Sequence, residues 1–198
     1  NIIEYLAEVE ILPGSDLANK QILSSALVKE LEMEILELRR NSTRMNLPQG
    51  DTRMKVGDIL KISCNLSKLK TMKDQLGVKM MTFEGDEEAE SSSDQSSFVE
   101  LVIPTNSELE GKTLREFDFR RRFRAAPLAI RQREDVLHYS LQEVRLQSGD
   151  VILAEMKTHY LDQWRGPNKD QNAPFIVLSQ EGIQSFNAKQ FWLVAAIV

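Results

Sequence analysis

The sequence predicts an α+β fold built twice: two small domains, each a strand, a helix and three further strands in a mostly antiparallel sheet. Three observations carry that expectation. The chain matches itself at a shift of 92 residues, so that Ser15, Leu17, Lys20, Leu36, Arg39, Arg53, Gly57 and Asp58 recur as Ser107, Leu109, Lys112, Leu128, Arg131, Arg145, Gly149 and Asp150. Short stretches of alternating apolar and polar residues open both copies. Between the copies, residues 84–97 hold six acidic side chains, no basic one, and no aromatic or branched aliphatic residue. Such a run repels itself and has nothing to bury, so it reads as a solvated linker.

Taken in order, each copy opens with a strand at 6–12 or 98–103, whose alternation implies one buried face. Pro13-Gly14-Ser15-Asp16 and Pro104-Thr105-Asn106-Ser107 follow, all turn and N-cap residue types, and one gap aligns Pro13 with Pro104. An amphipathic helix is expected over 17–29, with Ile22, Leu23, Ala26 and Leu27 on its apolar face. Its counterpart over 109–121 carries Leu114, Phe117 and Phe119. A second strand is expected at 32–39 and 126–131, where Pro127 lacks a ladder donor and marks an edge or a strand start. A short third strand covers 44–47 and 136–139. The last follows a Gly-Asp turn, at 58–64 and 150–156. Copy one then continues as a helix over 67–76, where copy two has Tyr160 to Trp164. The expected domains are therefore 1–83 and 98–165, joined by the linker 84–97 and followed by a tail, 166–198. At roughly 75 residues each core is small, so each copy needs a partner surface.

Composition narrows the classes of function. The chain has 198 residues and a net charge of -5, which the linker more than accounts for; the two copies are close to neutral. That balance argues against a general nucleic-acid binder. The single cysteine, Cys64, has no internal partner for a disulfide, which suits a reducing compartment. It falls on an expected core strand and reads as buried and inert. The sequence starts at Asn1 with neither Met nor a signal-like segment and reads as an excised fragment.

The motifs also resemble a known family. Copy two runs from Pro104 through Leu109, Gly111, Lys112 and Leu114 to Arg120-Arg121-Arg122-Phe123, then Leu128-Ala129-Ile130-Arg131 and Leu146-Gln147-Ser148-Gly149-Asp150-Val151-Ile152-Leu153. This resembles the TrkA-C domain, also called the RCK C-terminal domain. Copy one is a weaker relative that keeps Gly57-Asp58-Ile59-Leu60 but has Asn19 where copy two has Gly111. Two such copies in a row resemble the cytoplasmic insert of divalent anion:sodium symporter-type permeases. The resemblance implies a cytoplasmic regulatory or ligand-sensing pair in a transporter of cations or cation-coupled solutes. A non-ligand-binding dimerisation module is the alternative. Phe175 to Ser179 is similar to the strand that closes this insert. The apolar run 191–198, entered past Lys189, reads as the start of a transmembrane helix. The implied partners are the protein's own transmembrane domain and other copies of the same domain.

Candidate site residues are few. Arg120, Arg121, Arg122 and Arg124 form the densest basic run, with Arg131, Arg115 and Lys112 nearby in sequence. Guanidinium forks suit phosphate or carboxylate. The resemblance admits an anionic nucleotide here, a membrane-side position admits anionic lipid, and a solvated helix end needs neither. His138 and His159, the only histidines, have no metal-ligand spacing around them, and no metal or cofactor is expected. Gly57-Asp58 and Gly149-Asp150 read as turn chemistry. No Walker loop, nucleophile elbow or dinucleotide-binding glycine motif is present, so no catalysis is expected.

Overall fold

The computed structural model describes residues 4–81, 96–132, 140–165 and 174–182. Their strands are β1 (Tyr5–Ile11), β2 (Glu34–Arg40), β3 (Thr43–Asn46), β4 (Ile59–Cys64), β5 (Val78–Met80), β6 (Ser96–Val102), β7 (Ala125–Arg131), β8 (Val151–Lys157) and β9 (Ile176–Gly182). All nine join one sheet in the order β3-β2-β4-β1-β7-β8-β6-β9, with β5 added on β1, and every pairing is antiparallel. The helices are α1 (Ala26–Lys29), α2 (Leu66–Gln75), α3 (Leu114–Phe117), α4 (Phe119–Phe123) and α5 (Thr158–Arg165). The α+β class with a mostly antiparallel sheet is what the sequence predicts.

The repeat is visible in the register. Val9 faces Leu60 across β1 and β4, and Leu101 faces Ile152 across β6 and β8, each pair displaced by 92 residues from the other. The expected gap is not needed. The Ser15 N–H donates to the Leu12 carbonyl as the Ser107 N–H donates to that of Pro104, so Pro104 stands opposite Leu12 and not Pro13. β6 also starts at Ser96, inside the stretch expected as linker. Ser96 and Ser97 pair with Lys157 and Met156, and the Ser97 hydroxyl lies 3.2 Å from that of Thr158. Residues 84–95, the expected strand at 136–139 and the apolar run 191–198 lie outside the described residues.

The long amphipathic helices do not form. In copy one the chain turns through a left-handed Asn19 (φ 63°), makes a single 3-10 turn at Ile22–Ser24 and only then enters α1. The backbone donors are used elsewhere: Asn19 N–H reaches Met54 O at 2.8 Å, Ile22 N–H reaches Thr52 O at 3.0 Å, and Leu23 N–H reaches Gly50 O at 2.8 Å. A helix over 17–29 would need the Ile22 and Leu23 donors within itself. Copy two repeats the device, with Gly111 N–H on Leu146 O at 2.8 Å and a left-handed Asp118 separating α3 from α4. α3 carries a capping box: Thr113 Oγ1 accepts from Glu116 N–H, and Glu116 Oε2 accepts from Thr113 N–H.

Each copy completes the other. One core holds Val9, Leu38, Leu60, Ile62 and Leu69 of copy one together with Phe98, Leu128, Val151 and Leu153 of copy two. α2 thus lies across the second face of the copy-two sheet, where Lys70 and Lys73 stand 5.2 and 5.6 Å from the Phe98 ring centroid. The other face of that sheet has its own core, dominated by Phe117, Phe119, Phe123 and Phe175, with Trp164 and Tyr160 packed against it. Phe123 is its hub, with ring centroids at 4.9 Å from Phe119, 4.8 Å from Phe175 and 5.4 Å from Trp164.

The two copies join where an edge is left open. β1 gives one edge to β4. Its other edge is shared: β5 takes Val9 to Ile11, and β7 takes Leu6 and Ala7. In copy two the equivalent edge of β6 is covered by β9 from Ser97 to Val102. Pro127 is not on an edge strand, since β7 lies inside the sheet. It sits opposite Ala154 beside a register shift in the β8 pairing, and the β7 residues that pair with β1 are Ala129 and Ile130, so its missing N–H falls where the ladder is irregular.

Candidate functional site

Both copies share one turn framework, and it fixes everything nearby. Asp58 Oδ2 accepts from Lys55 N–H at 2.7 Å, and Asp150 Oδ2 accepts from Gln147 N–H at 2.8 Å. The partners that close this turn differ. Arg40 grips Asp58 with two bonds of 2.7 Å and also donates to Arg53 O. In copy two the same place is taken by Gln132, which donates to Asp150 and to Arg145 O. Arg53 donates to Asn19 O at 3.0 Å as Arg145 donates to Gly111 O at 2.6 Å. The Gly-Asp pairs are structural turns, and each aspartate is buried.

The arginine run lies at the end of α4. Arg120, Arg121 and Arg122 are exposed and occupy its last turn, and Arg124 is exposed at its left-handed C-cap (φ 52°). Cations there favour the helix carbonyls. Arg122 is committed to packing: its guanidinium lies 4.2 Å from the Phe117 ring centroid and 3.2 Å from Glu108 Oε1. Arg121 stands 4.0 Å from Asp118, with both side chains in solvent. Arg131 does not join them. It closes the far end of β7, a strand of seven residues or about 23 Å, and its guanidinium lies 5.6 Å from the Tyr5 ring. Of the flanking cations, Arg115 bonds Gln142 and Lys112 lies 5.2 Å from the Phe117 ring.

A second charged group was not anticipated. Glu8 on β1, Lys61 on β4 and Glu37 on β2 are neighbours across the sheet, on the face opposite the copy-one core, and all three are buried. Arg39 reaches Glu8 at 3.1 Å and Glu37 at 3.5 Å. Copy two covers this layer, because Glu8 also accepts from the Leu141 backbone N–H. Burial pushes the Glu8 carboxyl above its ordinary range, against the pull of Arg39 and Lys61. The same burial pushes the Lys61 ammonium down, against Glu37 and Glu8. Among the described residues, Glu8 Oε1 and Glu37 Oε2 accept no hydrogen bond. In the sequence these residues sit at the alternate positions of three strands, which reads as an ordinary wet face; their burial is a tertiary fact.

Cys64 is buried, and burial pushes its thiol up to about 12, the opposite of an activated nucleophile. Among the described residues no three of His, Cys, Asp and Glu stand together as metal ligands. His138 lies outside the described residues. No helix among the described residues is long and apolar enough to cross a membrane.

Comparison with known proteins gives a consistent result. The signature of the TrkA-C domain matches residues 6–77 and again 98–165. An uncharacterized transporter of Synechocystis sp. is 30% identical over 160 residues, covering 78% of this chain and 26% of the relative. Sodium/sulfate cotransporter 1 of Chlamydomonas reinhardtii is 25% identical over 171 residues, 79% of this chain and 19% of its own. Sodium/sulfate cotransporter 2 of the same organism is 23% identical over 202 residues, 95% of this chain and 22% of its own. The chain thus spans about a quarter or less of the length of these curated relatives.

Proposed function

The chain belongs to the TrkA-C domain family, and from that premise we propose that it is the regulatory domain pair of a membrane transporter, of the kind inserted in divalent anion:sodium symporters. The observation that carries the reading is the double family match in a chain whose relatives are named as transporters. On this reading the two domains are built on residues 1–83 and 98–165, the second extended by Ser96, Ser97 and β9; the acidic stretch before Ser96 links them, and the residues after β9 lead back to the transmembrane part. The pair faces the cytoplasm and has no catalytic role. It biases the transport of a cation or a sodium- or potassium-coupled solute by binding a ligand that prefers one arrangement of the pair.

The ligand is an anion, with an anionic nucleotide the first class to try, and Arg120, Arg121 and Arg124 receive it. Arg122, anchored on Phe117, positions the run, and Arg131 contributes at the sheet junction instead. The test is calorimetry and thermal shift with cyclic dinucleotides, mononucleotides and divalent cations. Heat and a raised melting temperature with an anionic nucleotide, lost in an Arg120→Gln, Arg121→Gln, Arg124→Gln triple variant, are the expected result. A flat response to every compound sinks ligand sensing. It would favour the alternative, a dimerisation module, for which the support is the edge pairing of β1 with β7 between the two repeats of one chain.

A further inference from the structure

The exposed aliphatic residues are not spread evenly between the copies. Apart from Ile176 and Leu178 on the edge strand β9, the large exposed apolar residues among those described are Leu23, Leu47 and Val56, at 66%, 64% and 49% exposure, all in copy one. Copy two replaces two of them by polar groups. Arg115 and Gln142, bonded at 2.8 Å, stand where Leu23 and Gly50 stand, and Ser148 stands where Val56 stands. A Cβ on Gly50 would come within 3.1 Å of Leu23 Cβ, so the glycine is what lets this leucine lie over the loop. Leu47 is stranger. It is exposed and yet held at φ 42°, a left-handed conformation that disfavours a leucine. Neither burial nor backbone comfort accounts for a leucine there.

The two segments that carry these residues run side by side, through the Gln21–Arg53 bridge and the Leu23 to Gly50 hydrogen bond. They also carry Lys20, Arg53 and Lys55, all exposed, against the single acid Asp51. Three aliphatic side chains exposed among cations fall well short of the roughly 800 Å² per partner of a stable protein interface. They match a surface that is anionic outside and apolar a few ångström in.

We propose that the loops 19–24 and 47–56 of copy one dock on an anionic lipid membrane, with Leu23, Leu47 and Val56 entering the headgroup region and Lys20, Arg53 and Lys55 meeting lipid phosphates. This surface is distinct from the arginine run of copy two. It needs no ligand, so it can fail while the transporter reading stands.

The experiment is co-sedimentation of the whole chain with vesicles of phosphatidylcholine alone or of phosphatidylcholine and phosphatidylglycerol in equal parts. Binding to the mixed vesicles that falls with added salt is the expected result. A Leu23→Ser, Leu47→Asn variant should bind roughly tenfold less or weaker still, and a Lys20→Gln, Lys55→Gln variant should bind several-fold less. Asn tolerates the left-handed backbone, so the first variant should melt no lower than the parent by circular dichroism. Three outcomes overturn the proposal: equal binding to neutral and mixed vesicles, binding unchanged by either variant, or binding abolished by Arg120→Gln with Arg121→Gln instead. Loss of a dimer in the leucine variant, seen by sedimentation velocity, would assign the surface to a second copy.

Discussion

Copy one and copy two build the same turns on the same register, yet they bury different things. Copy two gathers four phenylalanines and a tryptophan under its own short helices. Copy one places Leu27 and Leu31 where copy two has Phe119 and Phe123, and it draws part of its core from the neighbouring sheet. On the shared junction the contrast is sharper. Lys61 and Glu37 of copy one form part of a buried ionic layer, while their equivalents Leu153 and Ala129 lie in an apolar core beneath α2. At the junction one repeat therefore supplies hydrophobic mass, and the other supplies polar detail where the two halves of the sheet meet. Buried polar groups that cost stability can fix a unique pairing.

The largest test of this contrast is in the aromatic core. Phe123→Ala should cost about 3–5 kcal/mol in urea unfolding, whereas Leu31→Ala, at a half-buried site, should cost about 1 kcal/mol. Equal costs would break the idea that copy two carries the mass. Next come the aspartates. Asp58→Ala removes a carboxylate held by a two-pronged arginine and should cost about 3 kcal/mol. Asp150→Ala removes one held by an amide and a backbone N–H and should cost about 1–2 kcal/mol. Arg40→Gln, which gives copy one the chemistry of copy two, should narrow that gap.

A smaller effect separates the paired left-handed positions. Gly111→Ala should lose about 1 kcal/mol, for backbone reasons alone, since nothing stands within 4 Å of the added carbon. Asn19→Gly should change stability by about 0.5 kcal/mol or less. The smallest effect is in pH. The folded Glu8 carboxyl lies above its ordinary 4.5. Its contribution is therefore complete below that value and is lost as pH rises through the raised one. The stability of the native chain should fall over that interval, and Glu8→Gln should flatten the slope. Lys61, pushed down by the same burial, acts between its lowered value and 10.5, where stability rises with pH. An unchanged slope in Glu8→Gln would show that the layer is wet.

Much of this was legible from the residues. Alternation and turn residues located β1, β2, β4, β6, β7 and β8 to within two residues, because both signals are local; that β7 and β8 are covered on both faces is a tertiary fact. The helix over 17–29 was misread because the spacing of Ile22, Leu23, Ala26 and Leu27 suits a helix as well as it suits a turn stitched to another segment. Which carbonyl accepts the Asn19 N–H is a tertiary fact. The arginine run was legible since four of its members are neighbours in the chain. Arg131 was grouped with them by sequence distance, and an extended strand carries it away. The ionic layer was hidden for the converse reason: its members come from three strands, and Glu8 meets the Leu141 backbone of the other copy.

β5 has three residues and β9 has seven. A three-residue strand leaves half of the β1 flank vacant, and the next repeat slots in there. A seven-residue strand leaves no vacancy on β6. Strand length at this one place thus acts as a counter. It admits a second unit and refuses a third by the same route, so duplicating the gene segment for copy two would lengthen the polypeptide without lengthening the stack unless β9 were trimmed as well.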